Sequence, residues 1–323
     1  MIVIFVESVS ERLVYVFDFI FKDRKIAYQI TNDPVYFEVL EGFKFNYSNQ
    51  HFESGLQIFP SEVLFSEEII DYQLEKELFH QEYCLSFNGI IDPIASVFYI
   101  LTRYEEYVIE KRDFHDRFDA NNSILMKYNW LDLCICDHWC EDLIAFMEKE
   151  YQKAIPYEEI PLTFIPTFDI DNVRAFQWKE VVRLKEIIDP EVLISRQHYL
   201  KLTLPYTYRN LQQFNIKHDY SMGFATHVGF RAGTARPFSF FDLPKNTISE
   251  LTIHSFCYMD GTFLDYLKIG VTESKKIIEN LFQEVQTYGG EFIPIWHNES
   301  ISNYGRWKGW KELYDFTLDL NNP

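Results

Sequence analysis

The sequence predicts an α/β protein, with a small α/β domain at residues 1–155 and a larger β/α domain at 156–323. Three observations carry that expectation. The second half alternates apolar runs of strand length with helical patterns, as a parallel sheet requires. The apolar run 162–168 ends in Asp169 and Asp171, two carboxylates two residues apart. The run 292–296 ends in the same way on His297. Residues i and i+2 of a strand share a face, and α/β sheets place their chemistry at the carboxyl ends of parallel strands. Like charges held that close shift each other's pKa unless a cation sits between them. The pair therefore points to a metal, an acid–base couple, or both. A strand followed by an Asx-type turn at Asp171-Asn172 is the simpler alternative.

In chain order, residues 2–6 are rich in β-branched side chains and read as a strand. Ser10 is placed to cap a helix through Leu13, Val14, Phe17 and Ile20. Residues 26–30, 43–47 and 56–59 read as short strands, and 93–107 as a helix opened by Asp92 and Pro93. Arg103 to Tyr107 then forms either a contact surface or a solvated helix end with local ion pairs. Cys134, Cys136, His138 and Cys140 carry zinc-ligand chemistry at a spacing that a helix splits over different faces. Pro156 and Pro161, in a charged stretch, mark the domain boundary. Residues 179–188 and 204–214 read as helices. A further helix spans 272–288, with Thr272 as its cap, Ile277, Ile278, Leu281, Phe282 and Val285 facing inward, and Gly289-Gly290 ending it.

Composition narrows the function classes. Hydrophobic residues make up 47% of the chain, enough for a sizeable core, and its 30 Phe and 21 Tyr suit both cores and sugar-binding clefts. A net charge of −19 argues against nucleic acid and against anionic membrane surfaces. No uninterrupted apolar run approaches the ~18 residues of a membrane span. Five cysteines, with no basic stretch ahead of the apolar start, imply a cytoplasmic protein with reduced thiols. Composition leaves the oligomeric state open.

From Thr167-Phe168-Asp169-Ile170-Asp171 onward the second half resembles the polysaccharide deacetylases of the NodB-homology type (carbohydrate esterase family 4). The family's first motif ends a strand in T-F-D-D, its first Asp a general base and its second a metal ligand; here Ile170 stands between them. The resemblance implies Asp169 as base and Asp171 as ligand. Ser195-Arg196-Gln197-His198 stands where the third motif supplies an Arg that orients the base, although the family's proline is missing. Asp219 holds the fourth motif's acidic position without its usual Trp. Ile295-Trp296-His297 fits the fifth motif, L-x-H, whose His is the general acid. The family's fold is a distorted β/α barrel, and its cofactor a divalent metal, zinc first. The first 150 residues carry no such resemblance and read as an accessory domain.

One departure bears on the metal. The second motif, H-[ST]-x-x-H, supplies the metal's histidines between the Asp pair and the Arg. Asp171 and Arg196 stand only 25 positions apart, with no His between them. The resemblance thus implies an incomplete barrel lacking a segment near residues 179–181. His198 is a candidate replacement ligand, or else a loop histidine.

Hydrolysis of an N-acetyl group needs an activated water and a proton for the leaving amine. Asp169 would take the first proton, held ionised by Arg196. His297 would give the second, supported by Asp219. Tyr199 and Trp296 are candidates for stacking on a sugar, with core packing as their alternative. The expectation is metal-dependent deacetylation of an amino-sugar glycan. A catalytically inactive homologue that binds glycan or a protein partner is the second reading. A glycosidase using Asp169 and Asp171 is the third.

Overall fold

The structure, a computed structural model, describes residues 1–169 and 192–321. Asp171 and the helix expected at 179–188 lie outside the described residues. The chain divides into two compact units: Met1–Glu110 with Ile135–Ile160 and Phe241–Ser249, and Lys111–Cys134 with Pro161–Phe240 and Glu250–Pro323. Both mix helices with sheets, so the protein is of the α/β class.

In the first unit four parallel strands lie in the order Tyr28–Thr31, Ile2–Phe5, Phe43–Asn46, Leu56–Gln57. Every residue of Ile2–Phe5 is buried, as its unbroken apolar run requires of a central parallel strand. Ser10 caps the helix Glu11–Ile20, its Oγ accepting from the Leu13 amide at 3.1 Å. Asp92 caps the helix Pro93–Leu101 through Oδ1, while its Oδ2 accepts from the Tyr47 hydroxyl, the Ser61 amide and the Ser61 hydroxyl, each at 2.7 Å. The helix Ile135–Tyr151 buries Trp139, Leu143, Ile144 and Met147. Cys136 and Cys140 are buried on it too, and all five cysteines of the chain are buried. A small antiparallel sheet, Leu74–Leu78, Tyr83–Phe87 and Ile90–Ile91, turns at Asn88-Gly89, whose φ values of 51° and 87° are those of a two-residue hairpin loop.

The expected single helix over 93–107 is broken. Arg103 has φ 56°, and a short helix Glu105–Val108 follows. The polar segment has the expected local ion pairs but is buried rather than solvated. Arg103, Glu105 and Glu106 are 1%, 2% and 5% exposed, with Arg103 Nη2 at 2.6 Å from Glu105 and Nε at 2.8 Å from Glu106. One guanidinium satisfies two carboxylates, which is what lets three charges leave water together.

In the second unit, parallel pairing joins Ile194–Ser195 to His218–Met222 and that strand to Thr247–Ser255. It also joins Tyr258–Met259 to Pro294–His297 and that strand to Thr167–Asp169, while Gly290–Phe292 pairs with Leu162–Phe164. Backbone hydrogen bonds carry the ladders across the breaks: Phe256 N to Met222 O, Cys257 N to Ile293 O, and Ile165 N to Phe292 O, each at 3.0 Å. The result is a parallel arc whose ends are Ile194–Ser195 and Thr167–Asp169. Among the described residues it does not close into a barrel.

Alternation along the strands divides the packing. Ile165, Ile293 and Ile295 meet Leu200, Ala225 and Phe256 on one face. Phe292 and Trp296 face the other way, onto Ile278, Leu281 and Val285 of the helix Val271–Tyr288 and onto Leu313. Gly270, not Thr272, is the N-cap of that helix, and Gly289 ends it at φ 75°. Gly290 follows at φ 118°, where a Cβ would stand 2.6 Å from the Ala235 carbonyl oxygen. The run 162–168 was expected as one buried strand. It forms two short strands, none of whose residues is fully buried, and Phe168 is 48% exposed. Pro166 between them has no amide hydrogen to give to the ladder.

Candidate functional site

Three parallel-strand ends bring the candidate residues together. Thr167–Asp169 and Pro294–His297 lie side by side in a register that sets Asp169 opposite His297 and Thr167 opposite Ile295. Adjacent strands are about 4.8 Å apart, so the carboxylate and the imidazole leave neighbouring backbones at the same level. Ile194–Ser195 delivers Arg196 from the far end of the arc.

Arg196 ties those ends together. Its Nη1 donates to Asp169 Oδ1 at 2.8 Å, its Nη2 to Thr167 Oγ1 at 2.7 Å, and its Nε to the Tyr220 carbonyl at 3.2 Å. Thr167 Oγ1 passes its own hydrogen to the Pro294 carbonyl at 2.8 Å. The guanidinium thus has a fixed plane, and it orients a carboxylate that keeps solvent access, its side chain being 38% exposed.

His297 is held as firmly, by a residue that sequence reasoning did not select. Its Nδ1 lies 2.5 Å from Asp260 Oδ1, and its backbone amide donates to Asp260 Oδ2 at 2.7 Å. The Gly261 amide donates to Oδ1 at 2.6 Å. Asp260 is fully buried, and the His297 side chain is 21% exposed. The carboxylate fixes the Nδ1–H tautomer, which sets Nε2 as the nitrogen that could exchange a proton. A signal for Asp260 was present: the short apolar run 256–259 ends in Asp260-Gly261, the same strand-end carboxylate pattern that singled out Asp169.

Asp219 does not take the role expected of it. It is fully buried, and its carboxylate accepts from Ser195 Oγ at 2.6 Å and from the Ser221 amide and hydroxyl at 3.0 Å each. Burial pushes its pKa up, against those hydrogen bonds and the charge of Arg196. Ser221 Oγ in turn accepts from the Gln197 amide at 2.8 Å. Asp219 therefore shapes the loop that carries Arg196, and the carboxylate on His297 is that of Asp260.

Trp296 is not a sugar platform. It alternates with Ile295 and His297, so its ring enters the core edge-on to Tyr258 and Tyr314, fully buried. Tyr199 stands at the surface, 64% exposed, next to the exposed His198. No group of three or more His, Cys, Asp or Glu among the described residues is placed to hold a metal ion. A catalytic zinc takes three protein ligands, and the described residues do not supply such a set; Asp171 lies outside them.

Farther down the strands, on the same side as His297, a line of hydrogen bonds links Glu291, His254 and His218. His254 Nδ1 lies 2.6 Å from Glu291 Oε2, and His254 Nε2 lies 2.9 Å from His218 Nδ1. The Tyr220 ring stacks on His254 at 4.3 Å and 6°. Burial first, and His254 second, pull the pKa of His218 down.

No helix among the described residues is long and apolar enough to cross a membrane. Residues 2–152 match the model of a family of unknown function (DUF7033), a stretch that ends before the strand carrying Asp169. No curated protein and no solved structure matches the chain.

Proposed function

We propose that this chain is a polysaccharide-deacetylase-like protein that acts on N-acetyl groups of an amino-sugar glycan in the cytoplasm. One observation carries the reading. A carboxylate oriented by an arginine and an imidazole oriented by a buried carboxylate stand in register on adjacent parallel strands. These are the two proton-handling groups that amide hydrolysis requires. Asp169 removes a proton from water as its oxygen bonds to the acetyl carbon. His297 Nε2 protonates the nitrogen as the C–N bond breaks, releasing acetate and the free amine. The open arc is, on this proposal, part of the family's β/α barrel. A divalent metal, zinc first, belongs to that family's chemistry, and the described residues do not supply its ligand set.

The lack of the family's H-[ST]-x-x-H motif between Asp171 and Arg196 supports a second reading, glycan binding without turnover. An amine-release assay on chitin oligosaccharides, with and without added zinc, separates the two. Amine release that is lost in Asp169→Asn supports hydrolysis. Oligosaccharide binding without amine release supports the second reading. Neither binding nor release sinks both.

A further inference from the structure

The loop after Arg196 is built in a way that packing alone does not require. Tyr199 and Leu200 both have left-handed backbones, at φ 57° and 54°, a conformation that side-chain-bearing residues seldom adopt and that clusters at functional sites. Leu200 is anchored beneath, in the apolar layer with Phe256, Ile293 and Ile295. The Tyr199 carbonyl accepts from Arg117 Nη1 at 3.2 Å, and the buried Arg117 is itself fixed by Asp113, with Nη2 2.7 Å from Oδ2. Lys201 pairs with Asp116 at 2.9 Å. The segment 113–117 is thus clasped to 199–201 from both sides.

The clasp holds rings in water. Tyr199 stacks on His115 with ring centres 5.7 Å apart and planes 10° apart. His198 lies 4.3 Å from Tyr199, and Phe114, which is 96% exposed, packs edge-on to His115. These rings form a stiff aromatic shelf whose Tyr199 is three residues from Arg196, at most about 10 Å along the chain. Exposed rings this constrained contribute nothing to the core, and their flat faces match the C–H faces of a pyranose. The charges clasped under the shelf pair off, Arg117 with Asp113 and Lys201 with Asp116, which suits a neutral ligand.

We infer that Phe114, His115 and Tyr199 form a subsite for a neutral pyranose of an extended glycan, one or more sugars away from the residue that meets Asp169. The inference rests on the carbohydrate reading and adds where a neighbouring sugar of the chain is held. The test is titration of the full chain with N-acetylglucosamine and with its pentamer. Wild type is expected to bind the pentamer at least about tenfold more tightly than the monosaccharide. Phe114→Ala/His115→Ala and Tyr199→Ala should erase that ratio, and Tyr199→Phe, which keeps the ring, should restore it. A wild-type ratio in both alanine variants, with folding verified by circular dichroism, overturns the shelf and leaves the carbohydrate reading standing. Failure of wild type to bind either sugar overturns both.

Discussion

Arg196 donates to Asp169 across the open mouth of the strand arc, at 2.8 Å, from a strand that has no ladder contact with the one carrying Asp169. The two ends of the arc are therefore joined through side chains. The same guanidinium also donates to Thr167 and to the Tyr220 carbonyl, so one residue sets both the shape of the mouth and the direction of the proposed base.

Replacing Arg196 should accordingly cost more than a charge. Arg196→Ala is expected to lower kcat/KM for amine release about 10²-fold through misplacement of Asp169. Arg196→Lys should recover little of it, because one ammonium does not reproduce the planar three-way contact. Full activity in the lysine variant would show that charge alone matters.

His297 and Asp260 should behave as a unit. His297→Ala is expected to reduce kcat by about 10²–10⁴-fold with KM nearly unchanged, since protonation of the leaving nitrogen belongs to the transition state. Asp260→Asn should shift the pH profile of kcat as well as lowering it, because the amide does not support the imidazolium. A kcat unchanged in His297→Ala removes the residue from the mechanism.

The Glu291–His254–His218 line makes stability depend on pH. The His218 pKa is depressed in the fold relative to its ordinary 6.5. The unfolded chain therefore takes up this proton first as pH falls. The contribution is complete above the ordinary value, declines below it, and is gone below the folded pKa. His218 faces His254, ring centres 5.2 Å apart, with the charge of Glu291 beyond it. Urea unfolding at pH 7.5 and 5.5 should show a smaller loss on acidification in His218→Gln than in wild type. Equal losses would contradict the assignment.

Trp296 offers a test of packing separate from chemistry. Its ring is buried, and its Nε1 has no hydrogen-bond partner among the described residues. Trp296→Ala should cost about 3–5 kcal/mol in urea unfolding. Trp296→Phe should cost within about 1.5 kcal/mol, since it keeps most of the ring and removes an unpaired donor. A phenylalanine variant as unstable as the alanine one would mean that the indole nitrogen is bonded.

Local patterns in the sequence were enough to locate Ser10 and Asp92 as helix caps, the helix that ends at Gly289, and the strand ends that carry Asp169 and His297. Each follows from period, capping chemistry or a breaker within a few residues. The Asn88-Gly89 hairpin is equally legible from its dipeptide. What only the tertiary structure decided are the pairings between distant segments. A period of two says that Trp296 and His297 point apart, but not which of them meets the core. Asp219, second in its strand, and Asp260, just past the end of its own, are both buried carboxylates. Register assigns Asp260 to His297, 37 residues along the chain, and leaves Asp219 to the serines. Arg103 and its two glutamates are polar in any sequence scale, and only a left-handed residue at position 103 turns them inward. Side-chain type fixes what a residue can do. The backbone it shares a ladder with, set by contacts far away in sequence, fixes what it does.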